Sequence, residues 1–383
     1  MKTVIAGNGI VALTAALRLA QRGGEVVLIG PAARPGSATL AAAAMLNSFA
    51  ELDDHSLATD VDRLKFEMSR AATAKWEGLA AELGVPLGRG TDVLGSVDPI
   101  VRACVAYGEP HELVDGVLRL PREGWIDPRR VVAALESRLE IVDGVVERLE
   151  ARGGVVTGAV LGDGRRVEGT HYLVANGASL TPLLAASDLG IAVQRVVYGI
   201  GTSVEVRATS RRCLRTANRG VYLAPCGEDR AIIGATNEVS LLPRPADPEA
   251  PARLLRAAAE AFGVAGDIVR VNVGWRPISM DTYPLLGATS IPNLAIASGT
   301  RRDGFHLAPL LAEHLTALLY DEPTDPRLAV FAPERAPLRT LTRAQAIERA
   351  GGDREEVARV HDAAGAHDWG IPPELLPVYR QGR

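Results

Sequence analysis

Six residues near the N-terminus, Gly7-Asn8-Gly9-Ile10-Val11-Ala12, carry the spacing G-x-G-x-x-A. The first glycine permits a tight turn, the second lets backbone N–H groups approach a pyrophosphate, and the small last residue lets a following helix pack closely. That chemistry is dinucleotide binding, and it needs a strand before the loop and a helix after it. Residues 3–6 read as the strand, 10–22 as an alanine- and leucine-rich helix stopped by Gly23-Gly24, and 26–29 as a second strand. The glycines therefore sit at the turn of a βαβ unit. An acidic residue usually ends the second strand and grips the adenosine ribose, but Gly30 stands here. Either backbone or water holds the ribose, or the loop is a simple α/β turn that binds nothing.

Two further stretches could do chemistry. Ser37-Ala38-Thr39-Leu40-Ala41-Ala42-Ala43-Ala44-Met45-Leu46, followed by Glu51, is a run of small residues directly after the second strand. It is either a bed on which a flat ring lies against backbone or a helix N-terminus capped by Ser37 or Thr39. The C-terminal block comprises Gly274-Trp275-Arg276-Pro277, Asp281-Thr282-Tyr283-Pro284-Leu285-Leu286-Gly287, and Ser298-Gly299-Thr300-Arg301-Arg302-Asp303-Gly304-Phe305-His306-Leu307-Ala308-Pro309. With these motifs in order, residues 1–320 resemble the glycine oxidase and D-amino acid oxidase family of flavoproteins.

The resemblance implies a non-covalent FAD, since none of the three cysteines falls within 274–287, where related sarcosine oxidases attach theirs. It places cofactor contacts at Gly7, Gly9, Ile10, Val11 and Ala12, at Ala43, Ala44, Met45 and Leu46, at Val145, and at Ala175 and Gly177. Further contacts are implied at Gly274 and Arg276 and at Gly299, Arg301, Arg302, Asp303, Gly304 and Phe305. The Gly299–Gly304 turn precedes a helix, so its N–H groups and the helix dipole suit an electron-rich flavin carbonyl. Arg302 and Tyr222 are the implied catalytic-site residues. A guanidinium at Arg302 stays charged and offers a bidentate fork to a substrate carboxylate, with Arg301 as rival and a surface ion pair as the plain alternative. Tyr222 either touches the same carboxylate or is a core tyrosine on a half-buried strand.

The implied reaction is oxidation of the C–N bond of a small amino acid, amine or N-substituted glycine. Hydride passes to flavin N5, water hydrolyses the imine, and O2 recovers the flavin. Positioning carries the chemistry if the amine arrives neutral, so no strong base is demanded. Several residues depart from the family pattern: Gly30 at the ribose acid, Ala44 at a glycine, Val197-Tyr198-Gly199-Ile200 where a basic residue, glycine and a polar residue are usual, and Asp303 at an asparagine. They point toward a secondary amine in a specialised biosynthetic pathway. Two other classes fit the residues: a flavin dehydrogenase or monooxygenase with another acceptor, and a non-catalytic or NAD-binding α/β protein.

The elements that must position these residues predict an α/β fold. A Rossmann-type FAD-binding domain (1–85, 128–180 and 274–320) is joined to a discontinuous second domain built on an antiparallel-rich β-sheet (86–127 and 181–273). The periodicity predicts a helix over 59–84, short strands and turns over 91–120, a helix over 128–139, and strands at 145–146, 155–161, 171–178, 199–206, 220–224, 231–235 and 293–298, then a helix over 306–320. Residues 321–383 crowd prolines and charges and form a helical extension that is a solvated tail, a lid or a homo-oligomer contact. A net charge of -4 offers no basic footprint for nucleic acid or an anionic membrane. No apolar run is long enough to span a bilayer. Cys104, Cys213 and Cys226 are odd in number and lack CxxC spacing, so neither disulfides nor a metal site is expected. With no secretory leader in the opening residues, a reducing cytoplasm is the expected location.

Overall fold

The computed structural model describes residues 1–207, 215–227, 229–264, 266–348 and 354–364. Its smaller sheet has six strands in the order Leu285–Ala288, Leu294–Ser298, His171–Val174, Lys2–Ala6, Glu25–Ile29 and Ile141–Val142. All neighbours are parallel except the first pair, which runs antiparallel. The buried strands alternate faithfully between two cores. Ile5, Leu28, Leu173, Ala295 and Ala297 join one apolar cluster with the helices Ile10–Gln21 and Gly304–Leu319. Val4, Ala6, Ile29, Tyr172, Val174 and Ile296 join the other, beneath a three-stranded sheet and the helix Leu180–Ser187. Both faces are thus covered, as a parallel sheet requires.

The larger sheet has ten strands and is mostly antiparallel. Its centre runs Val197–Arg207, Arg230–Gly234, Val221–Pro225, Thr216–Arg219, Leu87–Leu94 and Val117–Ile126. Asp267–Ile278 lies antiparallel along the other side of Val197–Arg207, and the chain re-enters the smaller sheet at Leu285–Ala288. The helix Ala250–Phe262 packs Leu254, Ala258 and Phe262 against Val204, Val206, Val221, Leu223 and Ile233. Because strand side chains alternate, Ser203, Tyr222 and Ala224 face the opposite way, toward the smaller sheet.

Several termini follow from local chemistry. Asp60–Leu83 begins with a capping box between Thr59 and Asp62 and ends at left-handed Gly84. Pro128–Glu136 is capped by Asp127, whose side chain accepts the N–H groups of Arg129 and Arg130. One expectation is corrected. Residues 91–120 hold a ten-residue helix, Asp98–Tyr107, between their strands. Pro99 in its first turn and left-handed Gly108 at its end frame it, and β-branched Ile100 and Val101 disguise it as strand.

The extension beyond residue 320 is bound to the body in its described part. Leu328 and Phe331 enter the core beside the Gly304–Leu319 helix, and Leu341, Val357 and Val360 cover Val197, Val239 and Ile278. Arg335 pairs with Asp281, which is 0% exposed and also accepts the N–H of Leu338 at 2.8 Å. The described part of this segment is not a solvated tail, and the rest of the predicted extension lies outside the described residues. No helix among the described residues is long and apolar enough to cross a membrane, and Cys213 lies outside the described residues.

Candidate active site

A cavity of about 820 Å³ runs between the two sheets. Its size falls within the roughly 300–1,000 Å³ usual for small-molecule and cofactor sites. One wall is the first glycine loop. Gly7 has φ +118°, and a Cβ there would lie 2.4 Å from the Ala175 carbonyl oxygen, so only glycine closes the crossover between the two parallel strands. Gly9 and the start of the Ile10–Gln21 helix open onto the cavity. The N–H of Ile10 donates to Thr39 Oγ1 at 3.0 Å, which ties the helix N-terminus to the small-residue run.

That run resolves both ways. Ser37 Oγ accepts the N–H of Leu40 at 3.3 Å and caps a one-turn helix, Ala38–Ala41. The chain then straightens into the strand Met45–Leu46, with Ala44 left-handed at φ +47°. Ala44 therefore keeps the backbone conformation that glycine favours, although it carries a methyl group. Ala43, Ala44 and Met45 line the cavity wall.

A second wall is the loop before the Gly304–Leu319 helix. Arg301, Arg302, Asp303, Gly304 and Phe305 all line the cavity. The loop is anchored from behind. Phe305 stacks on Trp76 with ring centroids 5.4 Å apart, and Trp76 Nε1 donates to the His306 carbonyl at 2.7 Å. Arg301 is left-handed at φ +51°, and its N–H donates to the Pro277 carbonyl at 2.8 Å. Asp303 pairs with Lys65 at 2.8 Å. Burial pushes its carboxyl up, but Lys65, Arg302 and Arg301 outweigh that and hold it below the ordinary aspartate value.

The third wall is the large sheet. Tyr222 and Arg276 both project from it into the cavity. Arg276 lies over Gly201, where an added Cβ would meet the guanidinium at 2.3 to 2.8 Å, and its Nη1 donates to the Thr236 carbonyl and to Asn237 Oδ1 at 3.0 and 3.1 Å. Tyr222 lies over Gly234, its hydroxyl 2.3 Å from where a Cβ would stand. Gly234 pairs with Ser203, two residues along from Gly201. The two glycines are thus diagonal cross-strand neighbours, about 7–8 Å apart. Arg302 instead pairs with Glu51 at 3.6 Å, and both side chains line the cavity with about a third or more of their surface exposed (41% and 34%).

Val145, Ala175, Gly177 and Gly274 complete the sequence-predicted wall, while three predicted contacts stand behind it. Ala12 and Leu46 are core residues at 0% and 2% exposure. Gly299, left-handed at φ +67°, packs against Ser279 and Leu285. Each serves the wall from outside the cavity. Sequence reasoning missed Asn8, Arg34, Gly201 and Ser203 as lining residues, while Thr39 and His306, from the small-residue run and the C-terminal block, also line the cavity. The alternation Gly199-x-Gly201-x-Ser203 in an otherwise β-branched strand was the readable signal for close approach over one face. His306 Nε2 lies 2.7 Å from Thr73 Oγ1 and Nδ1 lies 3.3 Å from Ser69 Oγ. Its burial pushes the imidazole down to about 4.

A parallel sheet with a glycine loop after its first strand, facing a mostly antiparallel sheet across a cavity, is an arrangement that suits a dinucleotide cofactor. Residues 2–318 match the FAD dependent oxidoreductase family, and the chain belongs to it. FAD is therefore its cofactor, and the residues fit one, with a glycine-closed turn and a helix N-terminus both lining the cavity. The chain is 28% identical over 362 residues to the bifunctional protein ThiO/ThiG of Nostoc sp., covering 86% of this chain and 54% of that protein. A second ThiO/ThiG, from Synechocystis sp., is 30% identical over 223 residues, covering 56% of this chain and 34% of the relative. The chain thus spans about half or less of the length of these relatives. Among solved structures it is similar to iminodiacetate oxidase from Chelativorans sp. BNC1, with a TM-score of 0.75 at 22% identity over 88% of this chain and 100% of that one. Glycine oxidase from Geobacillus kaustophilus gives 0.74 at 22% identity over 88% and 98%.

Proposed function

We propose that this chain oxidises the C–N bond of a small amine that carries a carboxylate, such as an amino acid or N-substituted glycine, and passes the electrons to O2. The observation that carries the reading is the placement of Arg276 and Tyr222 over diagonal glycines on the cavity face of the large sheet. A guanidinium and a phenol hydroxyl on one cavity face suit a carboxylate, which accepts charge-assisted hydrogen bonds of about 2.8 Å. The anchoring of Arg276 by Thr236 and Asn237 fixes its plane before substrate arrives, so little orientation is lost on binding. This moves the clamp from Arg302, the residue singled out by the sequence, to Arg276. Arg302 and Glu51 together form a charged wall beside it.

When bound, FAD supplies the acceptor for the hydride equivalent that leaves the substrate carbon. The protein's own share is placement and exclusion. Arg276 and Tyr222 hold the carboxylate, and the apolar Ala43, Ala44 and Met45 wall keeps water from that side. His306 is neutral above about pH 4 and tied up by Thr73 and Ser69, so it takes no proton from a substrate ammonium. The amine must therefore arrive unprotonated or lose its proton to solvent. Similarity in fold to iminodiacetate oxidase and glycine oxidase supports the same substrate class.

Steady-state kinetics of Arg276→Ala and Arg302→Ala on the same carboxylate-bearing amine test the clamp. We expect Arg276→Ala to raise KM by at least about a hundredfold, the loss of a charge-assisted pair of some 3 kcal/mol, and Arg302→Ala to do so by less than about tenfold. The reverse ranking would return the clamp to Arg302.

A further inference from the structure

We propose that Asn8 replaces the missing acid of the second strand and holds the adenosine ribose of FAD from within the glycine loop. The inference rests on FAD as cofactor, not on any choice of substrate. A Cβ built on Gly30 would lie 2.2 Å from Asn8 Cγ, 2.4 Å from its Cβ and 2.5 Å from its Nδ2. The Asn8 side chain thus fills the volume in which an acid at residue 30 would begin. The two positions are coupled. A side chain can stand at 8 or at 30, and this chain has placed it at 8.

The amide is oriented as well as placed. Asn8 is 7% exposed and lines the cavity together with Gly30. Its Nδ2 donates to the Pro31 carbonyl at 3.0 Å, two residues past the strand end at Ile29. That bond leaves Oδ1 as the acceptor for a ligand hydroxyl, the role a carboxylate oxygen plays when the strand ends in an acid. Arg34 is the positioning residue. Its Nη1 donates to the Asn8 carbonyl at 3.2 Å, Nε to the Pro31 carbonyl at 3.4 Å, and Nη2 pairs with Glu136. One guanidinium therefore ties residues 8 and 31 into a single ribose wall. A neutral amide binds a hydroxyl less strongly than a carboxylate does, so ribose recognition here is real but weaker than in an acid-ended site.

The test is a titration of the apoprotein with FAD and with its 2′-deoxyadenosine analogue, read by flavin fluorescence and independent of turnover. Wild type is expected to bind FAD about tenfold more tightly than the analogue, and Asn8→Ala to bind both equally, at about the weaker affinity. Gly30→Glu alone should lose FAD, because Asn8 occupies the space. The double variant Asn8→Gly with Gly30→Glu should recover FAD binding together with the preference for the 2′-hydroxyl. An undiminished tenfold preference in Asn8→Ala, an absent preference in wild type, or unimpaired FAD binding by Gly30→Glu alone would each overturn the assignment.

Discussion

At His306, burial outweighs the nearby Asp303 carboxylate and pushes the imidazole from its ordinary 6.5 to about 4. The folded ring stays neutral where the unfolded ring would take a proton. Stability from this residue is therefore complete above pH 6.5 and is lost as pH falls toward 4, by up to about 3 kcal/mol. Thermal melting between pH 4 and 8 should show that decline in wild type and a flatter profile in His306→Gln. Parallel profiles would remove His306 as its source. Sequence could not reveal this, since a histidine after Asp303-Gly304-Phe305 looks the same whether the ring enters solvent or the core. Arg276 and Arg302 show the same limit from the other side. Both were visible as arginines of the C-terminal block, but only the sheet register shows which one shares a glycine-floored strip with Tyr222.

Elements with strong local punctuation were readable with few errors. The glycine loop, the helix predicted over 59–84 and the strand–turn–helix at 293–320 stand within two residues of where their periodicity and turn residues predict them. The segment beyond residue 320 was not readable in this way, because what anchors its described part is long-range: apolar side chains that enter distant cores, and one buried ion pair. Arg335, with its side chain 8% exposed, meets Asp281 at 0% exposure in the loop that follows the Asp267–Ile278 strand. No spacing rule links residues 54 apart in sequence. Removing one partner leaves a buried charge uncompensated, so Arg335→Ala should cost about 3–5 kcal/mol in chemical denaturation. A loss below about 1 kcal/mol would mean that the extension merely rests on the body.

For the molecule as a whole, the dinucleotide end announced itself in sequence because backbone geometry demands glycine there. The substrate end did not. Its proposed floor is Gly201 and Ser203, with Gly234 beneath Tyr222, residues of two strands that converge only through antiparallel pairing. The cavity between the sheets links the two ends, and the proposed chemistry depends on one FAD extending along it with a carboxylate-bearing amine beside Arg276. The flavin half-reaction reports on this directly. Under anaerobic conditions, the purified holoprotein mixed with glycine, sarcosine, D-amino acids and other N-substituted glycines should lose its flavin absorbance with at least one member of the panel, and with none of the matching amines that lack a carboxylate. Flavin that stays oxidised with the whole panel, or that is bleached equally by the decarboxylated amines, would contradict it.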